Sequence, residues 1–181
     1  MHAVGTDRLF TLEPEAVGFL RILGEVVSHR GLELFAYCLM STHVHILIRD
    51  PQASLPHAMR DLTGRYARWF NKRQRRRGPL FEGRYHRTPV DDNGHFLAAV
   101  RYIVLNPVEA GLCRSAADWR WSSHRAQAGV IKAPAFLCTA TVLEMLRSAE
   151  AYVRFVEGEI ISATPAAAPP RPARGNPAGG R

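Results

Sequence analysis

Apolar positions set out most of the elements before any other property is needed. From Pro14 to His29 they recur at near-helical spacing (Val17, Leu20, Ile22, Leu23, Val27) behind the acidic pair Glu13 and Glu15, which predicts a helix that Gly31 ends. Leu32–Met40 and Val44–Ile48 are dense in aliphatic and aromatic residues on either side of a polar Ser41-Thr42 step, the pattern of two strands or a hairpin. Ser54 is placed to cap a second helix, whose Leu55, Met59, Leu62, Tyr66, Trp69 and Phe70 form one apolar stripe. Gly78-Pro79 stops that helix, and Tyr85–Val90 has the composition of a short strand. Asn93 can start a third helix through Phe96, Val100 and Ile103, with Pro107 expected to end it near Asn106. A last helix is predicted from Thr141 to Val156. The order of elements is that of an α+β protein with helices against an antiparallel sheet. From residue 163 onward the string ATPAAAPPRPARGNPAGGR has no periodic apolar residues and many prolines, and is expected to be a disordered tail.

Composition narrows the class. Of the 181 residues 46% are hydrophobic and 9% aromatic, enough for a packed core and incompatible with wholesale disorder or a collagen-like chain. Cys38, Cys113 and Cys138 are widely separated and form no CxxC pair, so neither a disulfide framework nor a cysteine zinc site is expected. No window approaches the roughly 18 apolar residues of a membrane span, and Met1–Phe10 lacks a basic start followed by an apolar stretch. The expected location is the cytoplasm, in association with the nucleoid.

The net charge of +8 is concentrated in one stretch. Between Arg60 and Arg87 ten Arg and Lys residues face only Asp61 and Glu82, so this segment alone accounts for the whole excess. Its arginines are interleaved with Tyr66, Trp69, Phe70, Phe81, Tyr85 and His86. Guanidinium groups supply phosphate partners, and flat rings supply surfaces on which unpaired bases stack. Nucleic acid is the natural partner, although a basic run can also be a solvated helix face that serves solubility alone.

His43 and His45 are two apart in a strand, or at its entrance, and therefore point the same way, with Val44 facing the opposite side. Two neutral imidazoles on one face can share a divalent ion and leave coordination positions open for phosphate oxygens. Two strand histidines can equally be ordinary hydrogen-bonded residues. Tyr102 and Asn106 lie four apart on the third helix and so share a face, with Ala98 and Ala99 leaving room beside the phenol. A phenol with its ordinary pKa near 10 attacks poorly unless a metal or a neighbour stabilises the phenolate.

Five blocks carry a resemblance: YCLMSTHVHILI from Tyr37, RYARWFN from Arg65, GPLFEGRY from Gly78, YIVLNPVEAGL from Tyr102 and WSS from Trp121. In this order they are similar to the REP-associated tyrosine transposases, relatives of the HUH single-strand insertion-sequence transposases (IS200-like domain). The likeness covers roughly Asp7 to Ser123. It implies a ferredoxin-like HUH nuclease fold, an antiparallel sheet with helices on one face, that binds hairpin-bearing or single-stranded DNA and cuts it with Mg²⁺ or Mn²⁺. His43 and His45 match the metal-binding histidines, Tyr102 the nucleophile that forms a 5′-phosphotyrosine bond, and Asn106 the position of a third, amide-type ligand. Arg65, Arg68, Lys72, Arg73, Arg75, Arg76, Arg77, Arg84, Tyr85 and Arg87 are the expected DNA-binding set. No GxxxxGK[ST] loop is present, in keeping with a rejoining reaction that needs no nucleotide. The expected organisation is a nuclease domain over 1–130, a helical extension over 131–162 and the Pro/Ala/Arg tail over 163–181, in a monomer or homodimer.

Two departures stand out. MHAVGTDRLF is too short and poorly patterned for a full first strand, so that strand is expected to be short or missing, and Ser41-Thr42 stands where relatives carry Pro-Asn. The alternatives are a catalytically degenerate DNA- or hairpin-binding protein and an unrelated HxH metal-dependent hydrolase. Against the hydrolase, Leu47 occupies the place of a third triad histidine.

Overall fold

At the centre of the molecule two strands, β1 (Glu33–Leu39) and β2 (Val44–Arg49), pair antiparallel with Leu39 opposite Val44 and Cys38 opposite His45. The computed structural model describes residues 1–4 and 8–158, so the segment expected to form a tail lies outside the described residues. A register irregularity between Leu34 and Ala36 lets Phe35 and Ala36 fall consecutively on one side of the sheet. The buried amide of Gln127 donates to the Phe35 carbonyl at 2.6 Å, satisfying a group at this bulge. The outer edge of β1 is covered by the Trp121–Ser123 stretch: Leu39 N–H donates to the Trp121 carbonyl at 2.9 Å, and Ser123 N–H to the Tyr37 carbonyl at 2.9 Å. The Trp119 indole donates to the Leu39 carbonyl at 3.1 Å, so this tryptophan anchors the chain.

The first strand is short but present in function. Met1 and Val44 exchange two backbone hydrogen bonds of 3.1 and 3.0 Å, and Ala3 N–H donates to the Thr42 carbonyl at 2.8 Å. On the other side Glu82 N–H donates to the His2 carbonyl at 3.0 Å and Val4 N–H to the Leu80 carbonyl at 3.1 Å. The N-terminal residues are thereby wedged between the hairpin and the turn that follows the second helix.

Among the described residues six α-helices surround this sheet: α1 (Glu13–His29), α2 (Leu55–Arg73), α3 (Asn93–Glu109), α4 (His124–Gln127), α5 (Thr139–Leu146) and α6 (Ala149–Glu157). The α+β layout holds, with one correction to the expectation of helices on one face: both faces are covered. Leu34, Tyr37, Leu39 and Val44 pack with the apolar stripes of α1 and α2, Phe19, Leu23, Leu62 and Tyr66 among them. On the opposite side Phe35, Ala36, Cys38 and Leu47 pack with Val100, Ile103 and Val104 of α3, Val142 of α5 and Tyr152 and Val156 of α6. Strand alternation, with apolar residues on both sides, requires a second layer of this kind. Among the described residues no helix is long and apolar enough to cross a membrane.

Four local expectations change. The α2 cap is made by Asp50 rather than by the Ser54 side chain: its two carboxylate oxygens accept from Ser54 N–H at 3.0 Å and Leu55 N–H at 2.6 Å. Tyr85–Val90 forms no strand; the pairing with the N-terminal residues falls instead on Leu80–Glu82. Helix α3 runs through Pro107 to Glu109. The helix predicted over Thr141–Val156 is two helices. Arg147 adopts a left-handed φ of 72°, and Ser148 Oγ accepts from Ala151 N–H at 3.1 Å to start α6.

Candidate metal centre and nucleic-acid interface

Strand alternation places His43 and His45 on the side of the sheet facing α3, while Val44 is buried with α1 and α2. The two imidazole centroids are 4.8 Å apart, nearly perpendicular. Burial, the larger effect, pulls both pKa values down to about 4, with added repulsion from neighbouring imidazoles and the terminal amine. Both rings are therefore neutral at pH 7, each with one nitrogen bearing a lone pair. His45 Nε2 is buried without a hydrogen-bond partner, a condition that costs about 1–3 kcal/mol unless something binds there.

Tyr102 projects from α3 toward this pair. Its ring meets that of His45 edge-on at 5.6 Å, and at 48% exposure the side chain remains open to an incoming strand. Three of the residues singled out by sequence thus converge, His43 from the turn just ahead of β2, His45 from β2 and Tyr102 from α3. Asn106, one turn further on, is partly buried and donates its amide N–H to the Tyr102 carbonyl at 2.7 Å. That bond reinforces the turn just ahead of Pro107, whose missing N–H removes one rung of the helix. Among the described residues no three His, Cys, Asp or Glu side chains are grouped to hold a metal ion.

One residue was invisible to sequence reasoning. His2 pairs with His43 across the short first strand, and their rings stack at 4.9 Å and 19°. No periodicity links positions so far apart; only the poorly patterned N-terminus could have hinted at it.

A groove of about 1180 Å³ opens beside the site, lined by His2, His45, Tyr102, Phe96 and Arg87 among others. A smaller hollow of about 410 Å³ lies between His2 and the turn carrying Arg84, Tyr85 and His86. The basic residues divide by environment. Arg68, Lys72, Arg73, Arg75, Arg77, Arg84 and Arg87 are exposed. Arg65 is engaged by Glu25 of α1, and Arg76 clips the turn by donating to Asn71 Oδ1 at 3.2 Å and to the Pro79 carbonyl at 2.9 Å. Arg73 lies over the Trp69 ring at 5.9 Å, a cation–π pairing on this face.

Residues 8–106 match the family described as Transposase IS200 like. A solved REP-associated tyrosine transposase, bound to a REP hairpin, is similar in fold: the TM-score is 0.62 at 15% identity, over 76% of this chain and 81% of that one. Among curated proteins none matches.

Proposed function

The chain belongs to the IS200-like transposase family, and on that premise we propose that it cuts and rejoins single-stranded DNA at hairpin sites through a 5′-phosphotyrosine on Tyr102. The observation that carries this reading is the exposed Tyr102 ring set edge-on against His45. The phenolic oxygen attacks the scissile phosphorus, an O–P bond to Tyr102 forms, the P–O3′ bond breaks, and the departing oxygen leaves as a 3′-hydroxyl after taking up a proton. Attack by another 3′-hydroxyl reverses these bonds and rejoins strands.

The donor set fits a divalent ion. His43 and His45 offer neutral imidazoles, the orphaned Nε2 of His45 lacks any other partner, and phosphate oxygens would complete the coordination. When bound there, Mg²⁺ or Mn²⁺ would supply Lewis-acid polarisation of the phosphate and favour the phenolate. Asn106 is assigned the weaker role of an amide ligand through its oxygen. Arg68, Lys72, Arg73, Arg75 and Arg77 hold the DNA backbone, with Arg84, Tyr85 and Arg87 leading it toward the groove, while Arg65 and Arg76 serve chiefly to fix the α1–α2 pair and the turn. A hairpin substrate is inferred because the similar transposase was solved bound to one. Residues 1–130 form the nuclease unit and 131–162 the extension, whose described part, up to residue 158, buttresses α3, where Arg101 Nε donates to the Phe155 carbonyl at 3.1 Å.

The test is incubation with end-labelled single-stranded hairpin DNA and Mn²⁺, followed by a search for a covalent protein–DNA adduct. Tyr102→Phe is expected to abolish the adduct and Tyr85→Phe to retain it; cleavage by Tyr102→Phe overturns the assignment. DNA retardation with no adduct under any divalent ion would instead identify a binding-only protein.

A further inference from the structure

We propose that Thr42 and His2 are positioning residues for His43: the Thr42 hydroxyl accepts a hydrogen bond from Nδ1–H, leaving the Nε2 lone pair for a metal ion, and the His2 ring fixes the imidazole plane. This rests on the reading of His43 as a metal ligand.

A neutral imidazole carries one N–H, and which nitrogen keeps it is set by the partner of the other. Thr42 Oγ1 lies 3.1 Å from His43 Nδ1. The backbone that carries this hydroxyl is fixed on both sides. Ala3 N–H donates to the Thr42 carbonyl at 2.8 Å, and the flanking Met40 and His43 exchange backbone bonds of 2.8 and 3.3 Å across the hairpin turn. Position 42 is therefore pinned by the same N-terminal residues that bring His2 against His43.

The His2 ring lies nearly parallel to that of His43, whereas His45 approaches edge-on. One face of His43 is thus walled by a ring, and its rotation is blocked on that side. His2 acts as a wall rather than as a third ligand, since imidazole lone pairs lie in the ring plane and those of two rings stacked 4.9 Å apart at 19° do not converge on one ion. The short first strand consequently supports the metal centre directly, and it does so through residues that a sequence search for metal ligands passes over.

The experiment uses the full chain and Mn²⁺ alone, with binding measured calorimetrically near pH 7.5 and the His43 tautomer read from imidazole ¹⁵N shifts in metal-free protein. Wild type should show the Nδ1–H tautomer. Thr42→Val, which keeps the shape and removes the acceptor, should mix the tautomers and weaken Mn²⁺ binding roughly 10- to 100-fold. The melting temperature should be unchanged, and Thr42→Ser should restore both properties. His2→Phe should bind Mn²⁺ like wild type, and His2→Ala should bind it more weakly. An unaltered tautomer and affinity in Thr42→Val would overturn the role of Thr42, and a loss in His2→Phe as large as in His43→Ala would make His2 a ligand instead of a wall. If wild type binds no Mn²⁺, the metal-centre reading fails, while the tautomer measurement still decides whether Thr42 orients the ring.

Discussion

His124 is 1% exposed, with Nδ1 3.2 Å from the Tyr152 hydroxyl, and burial pulls its pKa down to about 4. The unfolded chain binds a proton at this residue below about pH 6.5, whereas the folded chain does not until about pH 4. Stability is therefore fully present above pH 6.5 and lost as pH falls, by up to about 3 kcal/mol from this residue. Thermal melts between pH 7 and pH 4 should show the decline, and His124→Gln should make it shallower. His43 and His45 titrate in the same sense, and an ion held between them would oppose their protonation. At this scale the sequence carried much of the site. Period-2 alternation paired His43 with His45, and the i,i+4 spacing put Asn106 beside Tyr102. What joins the two sets, the packing of α3 onto β2, is a tertiary contact with no local signature, and the stacking of His2 on His43 is another.

Helix α1 lies against α2 at a separation that Gly18 permits. A Cβ added there would come within 2.6 Å of the Trp69 ring, and a rigid indole cannot yield without leaving its place on α2. Gly18→Ala should cost about 1–3 kcal/mol and lower the melting temperature. It should also weaken DNA binding, since Trp69 carries Arg73. The α2 cap offers a second check: Asp50→Ala should destabilise by about 1 kcal/mol, and Ser54→Ala by less, because the Asp50 carboxylate accepts both backbone N–H groups. Sequence reasoning chose Ser54 on local propensity, but the oxygen that reaches the helix start comes from the end of the preceding strand. It also stopped α3 at Pro107, whereas the proline removes only one N–H and the surrounding core residues Ile103, Val104 and Leu105 hold the helix in register. Both errors arise where tertiary packing overrides a local rule.

Across the whole molecule the basic residues differ in what already holds them. Two of the ten expected DNA contacts, Arg65 and Arg76, already have protein partners, so replacing them should act mainly on stability. Replacing the exposed Arg68 and Lys72 together should lower the salt-dependence slope of DNA binding by about 2, and an unchanged slope would exclude this face. The β1–β2 hairpin has a further consequence. Its two surfaces belong to different cores, one closed by α1 and α2 and the other by α3, α5 and α6. Neither helical layer can detach without stripping apolar cover from strands the other layer needs. The protein should consequently melt in one cooperative step, with amide hydrogens of β1 exchanging only through global unfolding. His45 resides on one of those shared strands, His43 at its entrance and Tyr102 on a helix of one layer, so an ion bound at the site should raise the exchange protection of both layers together.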